Sequence, residues 1–206
     1  MDEMANELKQ IFLKANERLL TYDFELFLNQ VSERTLCGAL KQHLDFYIPN
    51  TRFRDYHNDI EYNRNKNGKV KTCCPFDEDS IPKPVTINCD LIVHSRGHNI
   101  EQDNLIAIEM KKSSRPKKGK EADKRRLIAL TKDSYDDIWS YNGTTLPKHV
   151  CRYKLGIYYE INFSREIILL EYYYRGEFQY NEFIDLVKLR KKYFLYEKNL
   201  YNKDRL

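Results

Sequence analysis

Two neighbouring apolar segments with charges at fixed places constrain this chain most. Leu105-Ile106-Ala107-Ile108 runs into Glu109-Met110-Lys111, and Ile87-Asn88-Cys89-Asp90-Leu91-Ile92-Val93 carries an acid in its middle. Side chains alternate faces along a strand, so Glu109 and Lys111 share one face while Ile106, Ile108 and Met110 share the other. In the first segment Val85, Ile87, Cys89, Leu91 and Val93 form an apolar face, and Thr86, Asn88, Asp90 and His94 lie opposite, around a single Ile92. A hairpin of the two would gather two carboxylates and an ammonium above a packed sheet. Burying charge is costly unless it is partnered, so such a cluster calls for an explanation. Hard carboxylate oxygens suit a divalent cation and its water, the equipment of metal-assisted phosphodiester hydrolysis.

Glu-x-Lys alone is weak evidence, because a chain this charged should hold about one or two such triplets by chance. Glu7-Leu8-Lys9 is a second example. It lies in a helical pattern, where i and i+2 point to different faces, and carries no site. The strand context distinguishes Glu109-Met110-Lys111.

Charge is placed unevenly around the second triplet. The chain has 206 residues and a net charge of +4. From Lys111 to Arg126 it holds nine basic residues against Glu121 and Asp123, an excess of +7 that leaves −3 for everything else. Lys112, Arg115, Lys117, Lys118, Lys120, Lys124 and Arg125 form a basic strip suited to neutralising phosphates and steering a polyanion. A solvated loop is the competing reading, since Ser113-Ser114-Arg115-Pro116 and Gly119 are loop formers.

Hydrophobic residues make up 41% and charged residues 32%, the balance of one globular domain with a sizeable core. No apolar run reaches the length of a membrane span, and the start lacks the pattern of a secretory signal. Five cysteines without regular spacing point to a reducing, cytoplasmic setting. Cys73-Cys74 with His57, His94 and His98 lack the Cys-x-x-Cys pairing of a structural zinc site.

Leu8, Ile11, Phe12, Ala15 and Leu19 predict a helix over 4–20, with a short one at Phe24 to Leu28. Ser32 is an N-cap candidate for a helix from Glu33 to Leu44, with Leu36, Leu40 and Leu44 inward. Glu33 falls on that stripe, where an acid needs a partner: a metal or its water is one, the helix dipole another. Asn67-Gly68 between Ile60–Arg64 and Lys69–Thr72 predicts a hairpin. The acids of Phe76–Ser80 read as solvated. Glu121–Leu130 reads as a helix, Trp139 as a packing anchor and Asn142-Gly143 as a turn. Tyr153 to Ile161 alternates as a strand, Ile167–Leu170 begins another, and strand, helix, strand in that order predicts a crossover onto one sheet. Among sixteen tyrosines, Tyr172-Tyr173-Tyr174 falls on a strand and is expected in the core or against a partner. A basic, aromatic helix is expected at about 182–198, after an N-terminal helical extension over 1–30.

The order of a helix bearing Glu33, a hairpin, the Asp90 strand, the Glu109-Met110-Lys111 strand, a basic helix and a strand at Tyr153–Ile161 resembles the PD-(D/E)xK nuclease superfamily over about residues 33–161. The resemblance implies an α/β fold, a central mixed β-sheet flanked by helices with a restriction-endonuclease-like αβββαβ core. It implies Asp90 and Glu109 as magnesium ligands with the Met110 carbonyl, manganese as a substitute, Lys111 at the attacking water and Glu33 as outer ligand. Cys89 stands where the motif has its proline. The expected function is a metal-dependent nuclease, a DNA endonuclease in a bacterial defence or mobile-element setting, with homodimerisation possible. The alternative is a non-catalytic nucleic-acid-binding or assembly module with the same fold.

Overall fold

The computed structural model describes residues 1–62, 72–73, 85–86, 89–134 and 149–203, with backbone alone at 72–73, 85–86 and 195–203. The Asn67-Gly68 turn, the acids of 76–80, Trp139 and the Asn142-Gly143 turn lie outside the described residues.

Three helices open the chain: α1 (Glu3–Tyr22), α2 (Phe24–Leu28) and α3 (Glu33–Tyr47). Asp2 caps α1 by accepting from the Ala5 N–H at 2.8 Å, and Ser32 caps α3 by accepting from the Thr35 N–H at 3.1 Å. The inward stripes are those expected: Leu8, Ile11, Phe12, Ala15 and Leu19 on α1, and Leu36, Leu40 and Leu44 on α3, are buried together.

The strands are β1 (His57–Ile60), β2 (Thr72–Cys73), β3 (Val85–Thr86), β4 (Leu91–His94), β5 (Asn104–Lys112), β6 (Leu155–Asn162), β7 (Ile167–Tyr174) and β8 (Glu177–Asp185). Helix α4 (Lys117–Thr131) connects β5 to β6, and α5 (Leu186–Lys203) follows β8. One sheet runs β1-β4-β5-β6-β7-β8, and β2 pairs with β3 in a separate ribbon. Every pairing in the large sheet is antiparallel except β5–β6, which is parallel because α4 returns the chain across the sheet. The protein is thus α/β, with a central mixed sheet flanked by helices.

The two sheet faces are buried differently. Leu91, Val93, Ile106, Ile108, Met110, Ile157, Tyr159, Leu170 and Tyr172 pack with α1 and α3. Ile92, Ala107, Tyr158 and Tyr173 pack with Leu127 and Leu130 of α4. Gly156 lets α4 approach β6 closely: a β-carbon there would lie 3.0 Å from Thr131 Cγ2 and 3.1 Å from Tyr173 Cβ. The three consecutive tyrosines, Tyr172 to Tyr174, are all buried, as their strand position predicts.

Three expectations about element limits are corrected. The expected strand through 85–93 is interrupted: Val85 and Thr86 pair with β2, Asp90 sits in a bend, and β4 begins at Leu91. Cys89 accordingly packs with the α4-side cluster, not with Leu91 and Val93. The two ends of the expected hairpin, Ile60 and Thr72, pair with Leu91 and Thr86, and the residues between them lie outside the described ones. Helix α4 starts at Lys117, before the expected Glu121, so Lys118, Gly119 and Lys120 are helical. The C-terminal helix starts at Leu186, because Glu177–Asp185 continues the sheet and Asp185 accepts from the Val187 and Lys188 N–H groups at 2.9 and 3.2 Å.

Candidate functional site

Strand β5 outruns its neighbour. Leu91, the first residue of β4, is opposite Ile108, so Glu109 to Lys112 extend past β4. Buried strand amides need acceptors, and here carboxylates replace the missing strand. Asp90 Oδ2 accepts from the Met110 N–H at 2.8 Å, and Glu33 Oε1 accepts from the Lys112 N–H at 2.8 Å. The bend at Asp90 is what turns its side chain onto β5. Its own carbonyl accepts from the Glu61 N–H at 3.3 Å, anchoring the bend to the end of β1.

Alternation along β5 sends Glu109 and Lys111 toward α4, while Met110 faces α3 with its sulfur 3.8 Å from Cys37 Sγ. Lys111 Nζ lies 3.6 Å from Asp90 Oδ2 and 3.3 Å from Asp123 Oδ2. Arg126 donates from Nη1 both to Glu109 Oε1 and, at 2.9 Å, to Asp123 Oδ1. Asp90, Lys111, Asp123, Arg126 and Glu109 therefore form a continuous chain of charges, three acids against two bases. Of the three residues expected together, Lys111 lies beside Asp90, while Glu109, on the same face of β5 as Lys111, is held by Arg126.

Glu109 is 1% exposed, and its Oε2 has no nitrogen or oxygen donor on it among the described residues. The neighbouring Cys89 thiol, a weak donor, is coupled to it, and burial with the adjacent acids pushes that thiol far up. Burial drives the Glu109 carboxyl up to about 8, against the pull of Arg126. Burial also raises Asp90, with Lys111 and the Met110 amide opposing. For Lys111 burial disfavours the charge, but Asp90, Asp123 and Glu109 outweigh it and raise its pKa. Lys111 consequently stays an ammonium.

Glu33 stands at the margin. Its carboxylate accepts from the Lys112 amide and from Arg115 Nε at 3.0 Å and Nη2 at 3.3 Å. Burial would raise its pKa, but these donors win and lower it. It straps α3 to the end of β5 and reaches Lys111 and Asp90 through their charge.

The basic strip divides. Lys112 Nζ donates to the Gln30 carbonyl, Lys120 to the Ser113 carbonyl and Glu160, and Lys124 to Glu171. Arg115 is held by Glu33. Lys117, Lys118 and Arg125 have no ion pair among the described residues, and Lys117 and Lys118 are exposed at the start of α4.

Asp123 and Arg126 were not singled out from the sequence, where they entered only as charges of the basic run. A signal was present: Asp123, Leu127 and Leu130 recur at i, i+4 and i+7, which places an acid on a buried stripe, and Arg126 stands three residues along.

Among the described residues no group of three or more His, Cys, Asp or Glu side chains is arranged to hold a metal ion, and no helix is long and apolar enough to cross a membrane. The donor chemistry of Asp90, Glu109 and the Met110 carbonyl nonetheless suits a hard cation: all are oxygens, and the buried Glu109 Oε2 lacks a strong donor. Comparison with protein-family models, curated proteins and solved structures finds no match to the chain.

Proposed function

We propose that the protein is a metal-dependent nuclease that hydrolyses phosphodiester bonds, with DNA as substrate. The observation that carries this reading is the convergence of Asp90, Glu109 and Lys111 at the end of β5, two acids and an ammonium over a packed sheet. The order of α3, the antiparallel β1, β4 and β5, then α4 and the parallel β6 supports the resemblance to the PD-(D/E)xK superfamily.

Asp90, Glu109 and the Met110 carbonyl would hold magnesium or manganese, which supplies an acidified water and neutralises charge growing on phosphate oxygens. The protein's own groups do the rest. Lys111, kept protonated by its acidic neighbours, orients the attacking water and stabilises negative charge; as an ammonium it is no general base. Asp90 bonds the Met110 amide and so fixes the backbone that presents Glu109 and Lys111. Lys117 and Lys118, with Arg125 nearby, contact backbone phosphates without reading bases. The buried thiols of Cys37 and Cys89 accord with work in the reducing cytoplasm.

One observation favours the non-catalytic alternative: Arg126 is bonded to Glu109, so a cation already partners that acid. Purified protein incubated with plasmid, linear single-stranded DNA and RNA decides between them. Cleavage with Mg²⁺ or Mn²⁺ that EDTA abolishes is expected; binding without cleavage under every condition would establish the binding module instead.

A further inference from the structure

A single guanidinium nitrogen, Arg126 Nη1, bridges Glu109 Oε1 and Asp123 Oδ1 inside the acidic cluster. Both acids are buried, at 1% and 4% exposure, and Asp123 Oδ2 is reached only by Lys111 at 3.3 Å among the described residues. A cation shared between two buried carboxylate oxygens fills the place that a metal ion takes in a carboxylate site. No three-donor metal group stands among the described residues, and Arg126 occupies Glu109 Oε1, an oxygen such a group would need.

We infer that Arg126 is a built-in counter-cation which a divalent metal displaces from Glu109, so that metal binding and withdrawal of Arg126 are one event. This rests on the metal-dependent reading of the site and adds to it a regulation. Two features make the arrangement reversible. Arg126 stays tethered through Asp123, its helical neighbour at i,i+3, when it leaves Glu109. Asp123 also lies beside Glu109 in the cluster, so a dication that displaces Arg126 meets further carboxylate oxygen close by. The closed form is thereby neutralised enough to fold without metal, while a cation must compete with an internal charge for the same oxygen.

Mn²⁺ binding to the full chain, measured by calorimetry without nucleic acid, tests this. Arg126→Gln should bind Mn²⁺ about 10-fold tighter than wild type, whereas Arg125→Gln, the same charge change one residue away, should stay within about 2-fold. Equal affinity in wild type and Arg126→Gln overturns the displacement and leaves the metal site standing; binding by neither overturns both. Loss of one partner from a buried pair can unfold a protein, so the wild type supplies a second readout. Modification of Arg126 by phenylglyoxal, followed by peptide mass spectrometry, should rise when Mn²⁺ is added. Unchanged protection of Arg126 at saturating Mn²⁺ would refute the displacement.

Discussion

Replacing Gly156 by alanine should loosen the seat of α4 on the sheet, and with it the helix that carries Asp123 and Arg126 to Glu109. The added methyl would meet Thr131 Cγ2 at 3.0 Å, Tyr173 Cβ at 3.1 Å and Leu127 Cβ at 3.5 Å. None of these can simply swing away. Two are β-carbons fixed to backbone, and Thr131 is held through its hydroxyl, which donates to the Leu127 carbonyl at 2.9 Å and accepts from the Gly176 N–H at 3.1 Å. Relief therefore requires a shift of α4 against β6 by a few tenths of an ångström. Overpacking of this kind costs about 1–3 kcal/mol. Removing a glycine from a strand returns about 0.5–1 kcal/mol, because Gly156 has no positive φ to protect. Taking the middle of each range, the net loss is about 1 kcal/mol, equivalent to a Tm lower by about 2–4 °C for a chain of this size. Urea denaturation with an unchanged m-value would measure it. A Gly156→Ala protein as stable as wild type would refute the close approach of α4 to β6.

Asp59 gives a pH-dependent test away from the site. Burial works against its charge, but Arg96 and His94 bond it and lower its pKa to about 2. A depressed carboxylate contributes stability above its unfolded value near 4 that is lost as pH falls toward about 2. Wild type should lose about 1–2 kcal/mol more than Asp59→Asn over that window, the figure being reduced for partial exposure; parallel profiles in acid denaturation would contradict it. Glu33→Ala should destabilise by about 1–2 kcal/mol in urea, because it leaves the Lys112 amide without its acceptor, and a neutral effect would remove the strap. Neutralising Lys117, Lys118 and Arg125 together should weaken DNA binding alike for all sequences and lower the salt slope by about 0.9 for each phosphate no longer neutralised; an unchanged slope would make the start of α4 a solvated surface.

Most of the framework is readable from residue pattern, because the deciding signals are local. The helical stripes of α1 and α3, the Ser32 cap and the alternation of β6 follow from periods that a short window contains. The β5–α4–β6 crossover follows from element order. The break at Asp90 is not readable, because it depends on where β4 stops relative to β5, a fact of register between distant segments. Glu33 is legible as an acid on an inward stripe needing partners, yet the partners, Arg115 and the Lys112 amide, arrive from residues about eighty positions away. Asp123 bears the same mark as Glu33 but is hidden by the positive residues around it. The basic strip shows the converse. Counting charges gives it an excess of +7, whereas Lys120, Lys124 and Arg126 are each met by an acid from another strand.

The central claim is that Asp90 and Glu109 hold a metal while Lys111 acts on the water and the developing charge. Single-turnover cleavage of end-labelled DNA with Mg²⁺, run alongside Mn²⁺ and DNA binding, tests it most directly in wild type and Lys111→Ala. The account predicts that Lys111→Ala retains both kinds of binding and loses about 10²-fold or more in cleavage rate. Wild type and Lys111→Ala that bind DNA equally and cleave nothing, with Mg²⁺ or Mn²⁺, would contradict it.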